Sequence, residues 1–433
     1  MPRSARRRPT RRPAAPRPPA EPIELELDVT GVAHGGVFVS RHEGRVVFVS
    51  DTLPGERVLA RVSDTSHDRF WRAETVRVLQ PSEHRRPHVW GAASIDRSPD
   101  ERPGGAEFGH IDLAHQRELK HSVISDALSR MAGVDEAPEV EAVAGDDERD
   151  GTRWRTRVRL QIDESGTVGP YASRSHRVIP VDDLPLATEA VERAAPLDEP
   201  RSGAGTIDVT VTSEGFVSVV RRDASRTPTH RPQQINERVG DRRFALSATG
   251  FWQVHRHAPR VLTEAVQDAV DAALFDPRAF NLDLYGGVGL LAAAVGDRFG
   301  PTTRITSVES DEDTTDHAAA NLADWIGAQT VTSRVEGYLR ELATRSTGGE
   351  RSRLRDATVV LDPPRSGAGR EVVDLLCGLA PAQLVYVACD PVAFARDLRW
   401  FRDRGYELRQ ARAFDLFPNT HHVEMVASLV RAD

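Results

Sequence analysis

The 433-residue chain has two cysteines, three methionines and, among 57 basic residues, a single lysine, Lys120. Two cysteines, Cys377 and Cys389, cannot make a disulfide framework. An iron–sulfur cluster is ordinarily held by four, so none is expected. No apolar run approaches the ~18 residues that cross a bilayer. The N-terminal arginines are not followed by the apolar core of a secretory signal. These absences predict a cytoplasmic, globular chain with no membrane span. The near-exclusive use of arginine is best explained by a GC-rich coding genome.

The net charge of −8 opposes an indiscriminate polyanion binder, but it is unevenly spread. Residues 1–22 carry seven arginines and one acid, so a tail of +6 sits within a total of −8 and the remainder carries −14. Any nucleic-acid contact must then use local basic patches. The tail is rich in Pro, Arg and Ala and reads as disordered, either a phosphate-binding arm or a solvated extension.

The length predicts two to three domains. Residues 23–82 alternate as short strands with glycine turns, which predicts a small barrel of the oligonucleotide-binding kind. Residues 83–245 read as a Pro-, Gly- and Asp-rich linker (84–110), a helix from about Leu113 to Met131, and a second β-rich region from 153 to 221. There Arg155, Arg157 and Arg159 alternate with apolar residues, a possible phosphate-contacting face. From 246 to 433 strands and helices alternate, with strands at Phe280–Leu284, Ile305–Val308, Thr358–Leu361 and Leu384–Val387. The expected fold is therefore α/β: a doubly wound Rossmann-like domain preceded by a β-barrel and a central β-rich domain.

Asn281-Leu-Asp-Leu-Tyr-Gly-Gly-Val-Gly-Leu-Leu291 is a strand running into a glycine turn and a helix. Glycines such as Gly287 let backbone approach a ligand at the carboxyl end of the first strand. Glu309 ends the next strand, where a carboxylate can accept hydrogen bonds from both ribose hydroxyls of an adenosine cofactor. The loop is not the full dinucleotide fingerprint, which favours S-adenosylmethionine over a nicotinamide. Asp362-Pro-Pro-Arg365 ends a further strand, and its prolines impose a rigid extended loop.

Val385-Tyr-Val-Ala-Cys-Asp-Pro391 puts Cys389 at the carboxyl end of a strand, beside the expected cofactor pocket. A free cysteine is more often a small buried hydrophobe, and Cys377, inside a helix, reads that way. Phe417-Pro-Asn-Thr-His-His-Val-Glu424 offers three candidate bases: His421, His422 and Glu424. Glu424 opens an apolar stretch, where burial raises a carboxylate's pKa.

Together these residues resemble the RNA uridine-5-methyltransferase family, over about residues 23–433. The matching motifs are Asp362-Pro-Pro-Arg-Ser-Gly367, Ala388-Cys-Asp-Pro391 with Ala395-Arg-Asp-Leu398, and Phe417–Glu424; residues 23–80 look like a TRAM domain. The resemblance assigns Gln253, Tyr285, Glu309 and Asp362 to the cofactor, Cys389 as nucleophile and Glu424 as proton acceptor. It implies a monomer that flips its target base out of an RNA, ribosomal or transfer, with 23S ribosomal RNA favoured by the front barrel. A thiolate is needed because carbon 5 of uracil is too weak a nucleophile until addition at carbon 6 makes the ring an enolate. A base must then remove the carbon 5 proton. Departures are Leu290 for a common asparagine, Gly286 for a common cysteine, Ala388 for a frequent serine, and Gly104-Gly-Ala-Glu-Phe-Gly109 where many relatives carry cluster-binding cysteines. No metal is expected. The competing readings are an RNA-binding or RNA-folding protein without catalysis, and a methyltransferase acting on another base atom or a small molecule.

Overall fold

The computed structural model describes residues 23–199, 202–224 and 233–432; the basic tail lies outside them. Strands β1 (Glu24–Ala33), β2 (Val37–His42), β3 (Arg45–Ser50), β4 (Arg57–Asp64) and β5 (Phe70–Gln80) close into a barrel in the order β1-β2-β3-β5-β4. Alternation drives it: Leu27, Val29, Phe38, Val47, Val49, Val58 and Ala60 point inward and are buried. The β2–β3 hairpin turns at Glu43 and Gly44, both at positive φ, as a two-residue turn requires. Phe108, Ile111 and Leu119 from the following segment complete the barrel core.

Residues 84–110, expected as a linker, are packed. Arg85 pairs with buried Glu56 at 2.5 Å, and buried Arg102 pairs with Asp51 at 2.7 Å. Helix α1 (Leu113–Ala127) begins at Asp112, whose side chain accepts the His115 amide, and ends in a π turn through Ala132. Then come β6 (Val140–Glu141), β7 (Arg157–Ile162), β8 (Val168–Gly169), α2 (Glu189–Ala194), β9 (Gly205–Val211) and β10 (Val217–Asp223). Four of these strands form an antiparallel sheet in the order β10-β9-β7-β8. The expected arginine face is not free there. Arg157 is buried and donates to the Gly250 carbonyl at 2.8 Å, Arg159 donates to Asp208 at 2.6 Å, and Arg155 lies over Trp154. Asp208 on β9 pairs with Arg159 and Glu237, in the hairpin that follows, pairs with Arg157, and neither contact is visible in the strand's own alternation.

Hairpin β11 (Gln234–Val239) and β12 (Arg242–Ser247) precedes α3 (Ala258–Ala269). Its Ile235, Phe244 and Leu246 share a core with Leu262, Leu290 and Leu291, so the hairpin packs on the C-terminal domain. That domain continues through β13 (Asn281–Leu284), α4 (Leu290–Phe299), β14 (Ile305–Glu309), α5 (Glu312–Asn321), β15 (Ala328–Thr332), α6 (Val335–Arg345), α7 (Gly348–Arg355), β16 (Thr358–Leu361), α8 (Gly369–Leu379), β17 (Gln383–Ala388), α9 (Pro391–Arg402), β18 (Tyr406–Phe414) and β19 (Glu424–Arg431). The sheet order is β15-β14-β13-β16-β17-β19-β18-β6. Pairing from β15 to β17 is parallel, while β19 is antiparallel to both β17 and β18. The antiparallel insertion matters because it brings the start of β19 to the level where the parallel strands end.

Candidate active site

The β13–α4 loop is built for close approach. Tyr285 takes a left-handed conformation (φ 61°), a strained choice for an aromatic residue, and Gly287 and Gly289 also have positive φ. The Gly286 amide donates to the Val308 carbonyl at 3.0 Å, tying the loop to β14. Glu309, last in β14, reaches across: one carboxylate oxygen accepts the Gly287 amide at 3.2 Å, the other the Ser310 and Asp311 amides. Beneath the loop, Asp283 is fully buried; one oxygen accepts the Ser307 hydroxyl at 3.0 Å and the other has no partner. Burial pushes its pKa up to about 7. Space above Gly287, a ribose-ready carboxylate and a buried carboxylate with an open acceptor fit an adenosine cofactor carrying an amino group. Gln253 lies half-buried in the irregular segment before α3, next to Trp252, which packs on Phe244.

Asp362 follows β16, and its amide donates to the Leu284 carbonyl at 3.3 Å, so it stands beside Tyr285. Burial and the charge of Asp283 push its pKa up to about 7. The rigid loop after it is held by Asp397, one oxygen of which accepts the Ala368 amide at 2.7 Å and the Tyr386 hydroxyl at 2.8 Å. Asp397 belongs to the Ala395-Arg-Asp-Leu398 motif, and its partners lie too far away in the chain for the motif to show this role.

Cys389 leaves β17 and Glu424 opens β19. Ala388 pairs with Met425 in the antiparallel register, which sets Cys389 and Glu424 opposite one another. Glu424 is 4% exposed; burial and the charge of Asp362 raise its pKa well above the usual carboxylate range. Burial, Glu424 and Asp362 push the Cys389 thiol up to about 12. The thiol is not sealed in packing. It lines a cavity of about 160 Å³ with Arg365, Asp390, His421, His422 and the barrel turn His34–Gly36. Burial lowers His422 to about 3, leaving it neutral, and it meets Arg365 at 3.3 Å.

The loop before Glu424 is fixed by residues the motif alone does not explain. Asn419, buried at φ 65°, accepts from Arg86 and Gln116 and donates to the Asp150 and Gly151 carbonyls. Lys120, 1% exposed, pairs with buried Asp415 at 2.5 Å and donates to the Phe417 carbonyl at 3.1 Å. In the Gly104–Gly109 segment, Glu107 lies 3.5 Å from His421. Among the described residues no group of three or more His, Cys, Asp or Glu side chains is placed to hold a metal, and no helix is long and apolar enough to cross a membrane.

A glycine loop at the end of a first parallel strand and a carboxylate at the end of the second fit an adenosine cofactor, the arrangement of S-adenosylmethionine-dependent methyltransferases among others. Comparison with known proteins narrows this. The profile of the tRNA (Uracil-5-)-methyltransferase family matches residues 280–432, and that of the TRAM domain residues 24–76. An uncharacterized RNA methyltransferase of Streptomyces coelicolor is 36% identical over 96% of both chains. One from Bifidobacterium longum is 31% identical over 94% of this chain and 97% of its own. The crystal structure of Pyrococcus abyssi tRNA (uracil-54, C5)-methyltransferase with S-adenosyl-L-homocysteine superposes with a TM-score of 0.66 at 18% identity, covering 94% of this chain and 100% of that one. The chain belongs to the family of S-adenosylmethionine-dependent RNA (uracil-5-)-methyltransferases.

Proposed function

We propose that the enzyme methylates carbon 5 of one uridine in RNA through a covalent bond between Cys389 and carbon 6. The observation that carries this is the opposed placement of Cys389 and Glu424 across β17 and β19, with Cys389 lining the cavity. Glu309, Tyr285, Gly287, Gln253 and Asp362 would hold the cofactor, Glu309 by accepting from the ribose hydroxyls. When bound, S-adenosylmethionine supplies an electrophilic methyl group.

The Cys389 thiolate adds to carbon 6 of the flipped base, and the carbon 5–carbon 6 electron pair moves to the carbonyl as an enolate. Carbon 5 then takes up the methyl group. Glu424 accepts the carbon 5 proton, the double bond re-forms, and the carbon–sulfur bond breaks to return the thiolate. Arg365 is the cation beside the thiol, and it offsets the negative charge of Glu424 and Asp362 that otherwise suppresses ionisation.

The target we favour is 23S ribosomal RNA, on the strength of the front barrel. Transfer RNA is the second reading, favoured by the activity named for the Pyrococcus abyssi enzyme. Two measurements test the proposal. Cys389→Ala should abolish methyl transfer to total RNA from a deletion strain, and retained transfer would refute the mechanism. Mapping 5-methyluridine in that strain should show the loss in 23S ribosomal RNA; loss from transfer RNA alone would refute the favoured target.

A further inference from the structure

The barrel does not stand apart from the chemistry. Its β1–β2 turn, Ala33 to Gly36, lines the same cavity as Cys389. His34 Nε2 lies 2.8 Å from Asp390 Oδ2, a contact spanning 356 positions of sequence. The other oxygen of Asp390 accepts the Ala393 amide at 2.8 Å and caps α9. The residue next to the nucleophile is thus held from both sides, by its own helix and by the barrel. Gly36, at φ 74°, lies flat on His421: a Cβ there would come 2.8 Å from the imidazole Nδ1, so the turn approaches as closely as backbone can.

The pair also has an electrostatic consequence. Burial, Glu424 and Asp362 disfavour the Cys389 thiolate, Arg365 opposes them, and Asp390 adds a smaller disfavouring charge. His421, His422 and Lys120 are the other titratable groups facing the cavity. Asp390 raises the pKa of His34, which favours the imidazolium. A cation on Asp390 cancels the charge that Asp390 would direct at the thiol.

We propose that His34 of the barrel is a positioning residue of the methyl-transfer site. The β1–β2 turn walls the uridine pocket, and His34, through Asp390, sets the placement and charge around Cys389. This rests on the reading of Cys389 as nucleophile. A partly exposed ion pair contributes little to folding, so His34→Ala should fold with a Tm changed by no more than about 2 °C.

The test uses the full chain in a Cys377→Ser background, so that Cys389 is the sole thiol. Iodoacetamide alkylation is followed from pH 6 to 10, and methylation of RNA from the deletion strain gives kcat and KM. His34→Ala should slow alkylation at pH 8 by about three- to tenfold and lower kcat with KM for RNA little changed. Adding Asp390→Asn, which keeps the helix cap and removes the charge, should restore most of the alkylation rate. Unchanged alkylation and kcat in His34→Ala would overturn the proposal, as would a loss confined to KM. Failure of the underlying reading is seen separately, as methylation surviving Cys389→Ala.

Discussion

Cys389 and Glu424 face each other from neighbouring antiparallel strands, one leaving β17 and the other entering β19, with Ala388 and Met425 paired just inside them. A nucleophile for one ring carbon and a base for the next must stand about one ring apart and be held rigidly. Two adjacent strand ends meet that need without a flexible loop between them.

In the proposed mechanism Glu424 serves only after the methyl group is on carbon 5. Glu424→Gln should therefore reduce turnover by about 10²-fold or more while the enzyme remains bonded to methylated RNA. Denaturing gels with methyl-labelled cofactor should show label migrating with protein. Label in free RNA at the normal rate would remove Glu424 from the mechanism and point to His422.

Gly286, in the loop between β13 and α4, has no room for a side chain. A Cβ would lie 1.9 Å from Ser307 Oγ and 2.7 Å from Asp283 Oδ2. Gly286→Ala should weaken cofactor binding by about tenfold, since misplacing the loop costs roughly 1–3 kcal/mol. Ser307→Ala in the same chain should restore most of it. Calorimetric titration with S-adenosylhomocysteine checks both, and equal affinity in the single variant would contradict the packing argument.

Lys120, the single lysine, is buried against Asp415, whose other oxygen has no partner. Lys120→Met should destabilise the protein by roughly 3–5 kcal/mol by stranding that carboxylate. Replacing both, Lys120→Met with Asp415→Leu, should recover much of the loss. Urea denaturation measures this; a single variant as stable as the parent would mean that Asp415 is already neutral.

Asp283 has a folded-state pKa of about 7 against a usual 3.8. An acid shifted upward favours the fold most when protonated. Its contribution is full below pH 4 and lost as pH rises from 4 through 7, on the order of 4 kcal/mol. Asp283→Asn should flatten the dependence of Tm on pH between 4 and 7 in the cofactor-free enzyme. An unchanged slope would mean that other groups carry it.

The chemistry-bearing ends of the parallel strands were legible in the sequence because each is a local event: a strand, a break, and a reactive residue at the break. Tyr285, Gly287, Glu309, Asp362 and Cys389 could be placed that way, whereas Glu424, at the start of the antiparallel β19, rested on the apolar stretch it opens and on the family resemblance. Strand β15 was not legible, since Ala-Gln-Thr-Val-Thr at a sheet edge lacks an apolar signature. Strand β18 alternates Arg and Glu with apolar residues, and nothing local shows that it pairs with β19 and β6. Contacts across hundreds of residues were equally hidden. Lys120 with Asp415, Arg86 with Asn419 and His34 with Asp390 each join segments whose meeting only the fold determines. The arginines of β7 misled for the same reason, because Asp208 and Glu237 that neutralise them lie on other strands.

The central claim is that the sulfur of Cys389 bonds to the pyrimidine during turnover. Target RNA carrying 5-fluorouridine, incubated with the enzyme and S-adenosylmethionine, tests it most directly, because fluorine at carbon 5 cannot be removed as a proton and the thiol cannot leave. The account predicts a denaturant-stable protein–RNA complex whose digested peptide carries the nucleotide on Cys389, and no such complex with Cys389→Ala. RNA that is methylated normally when unfluorinated, yet forms no adduct or an adduct at another residue, would contradict it.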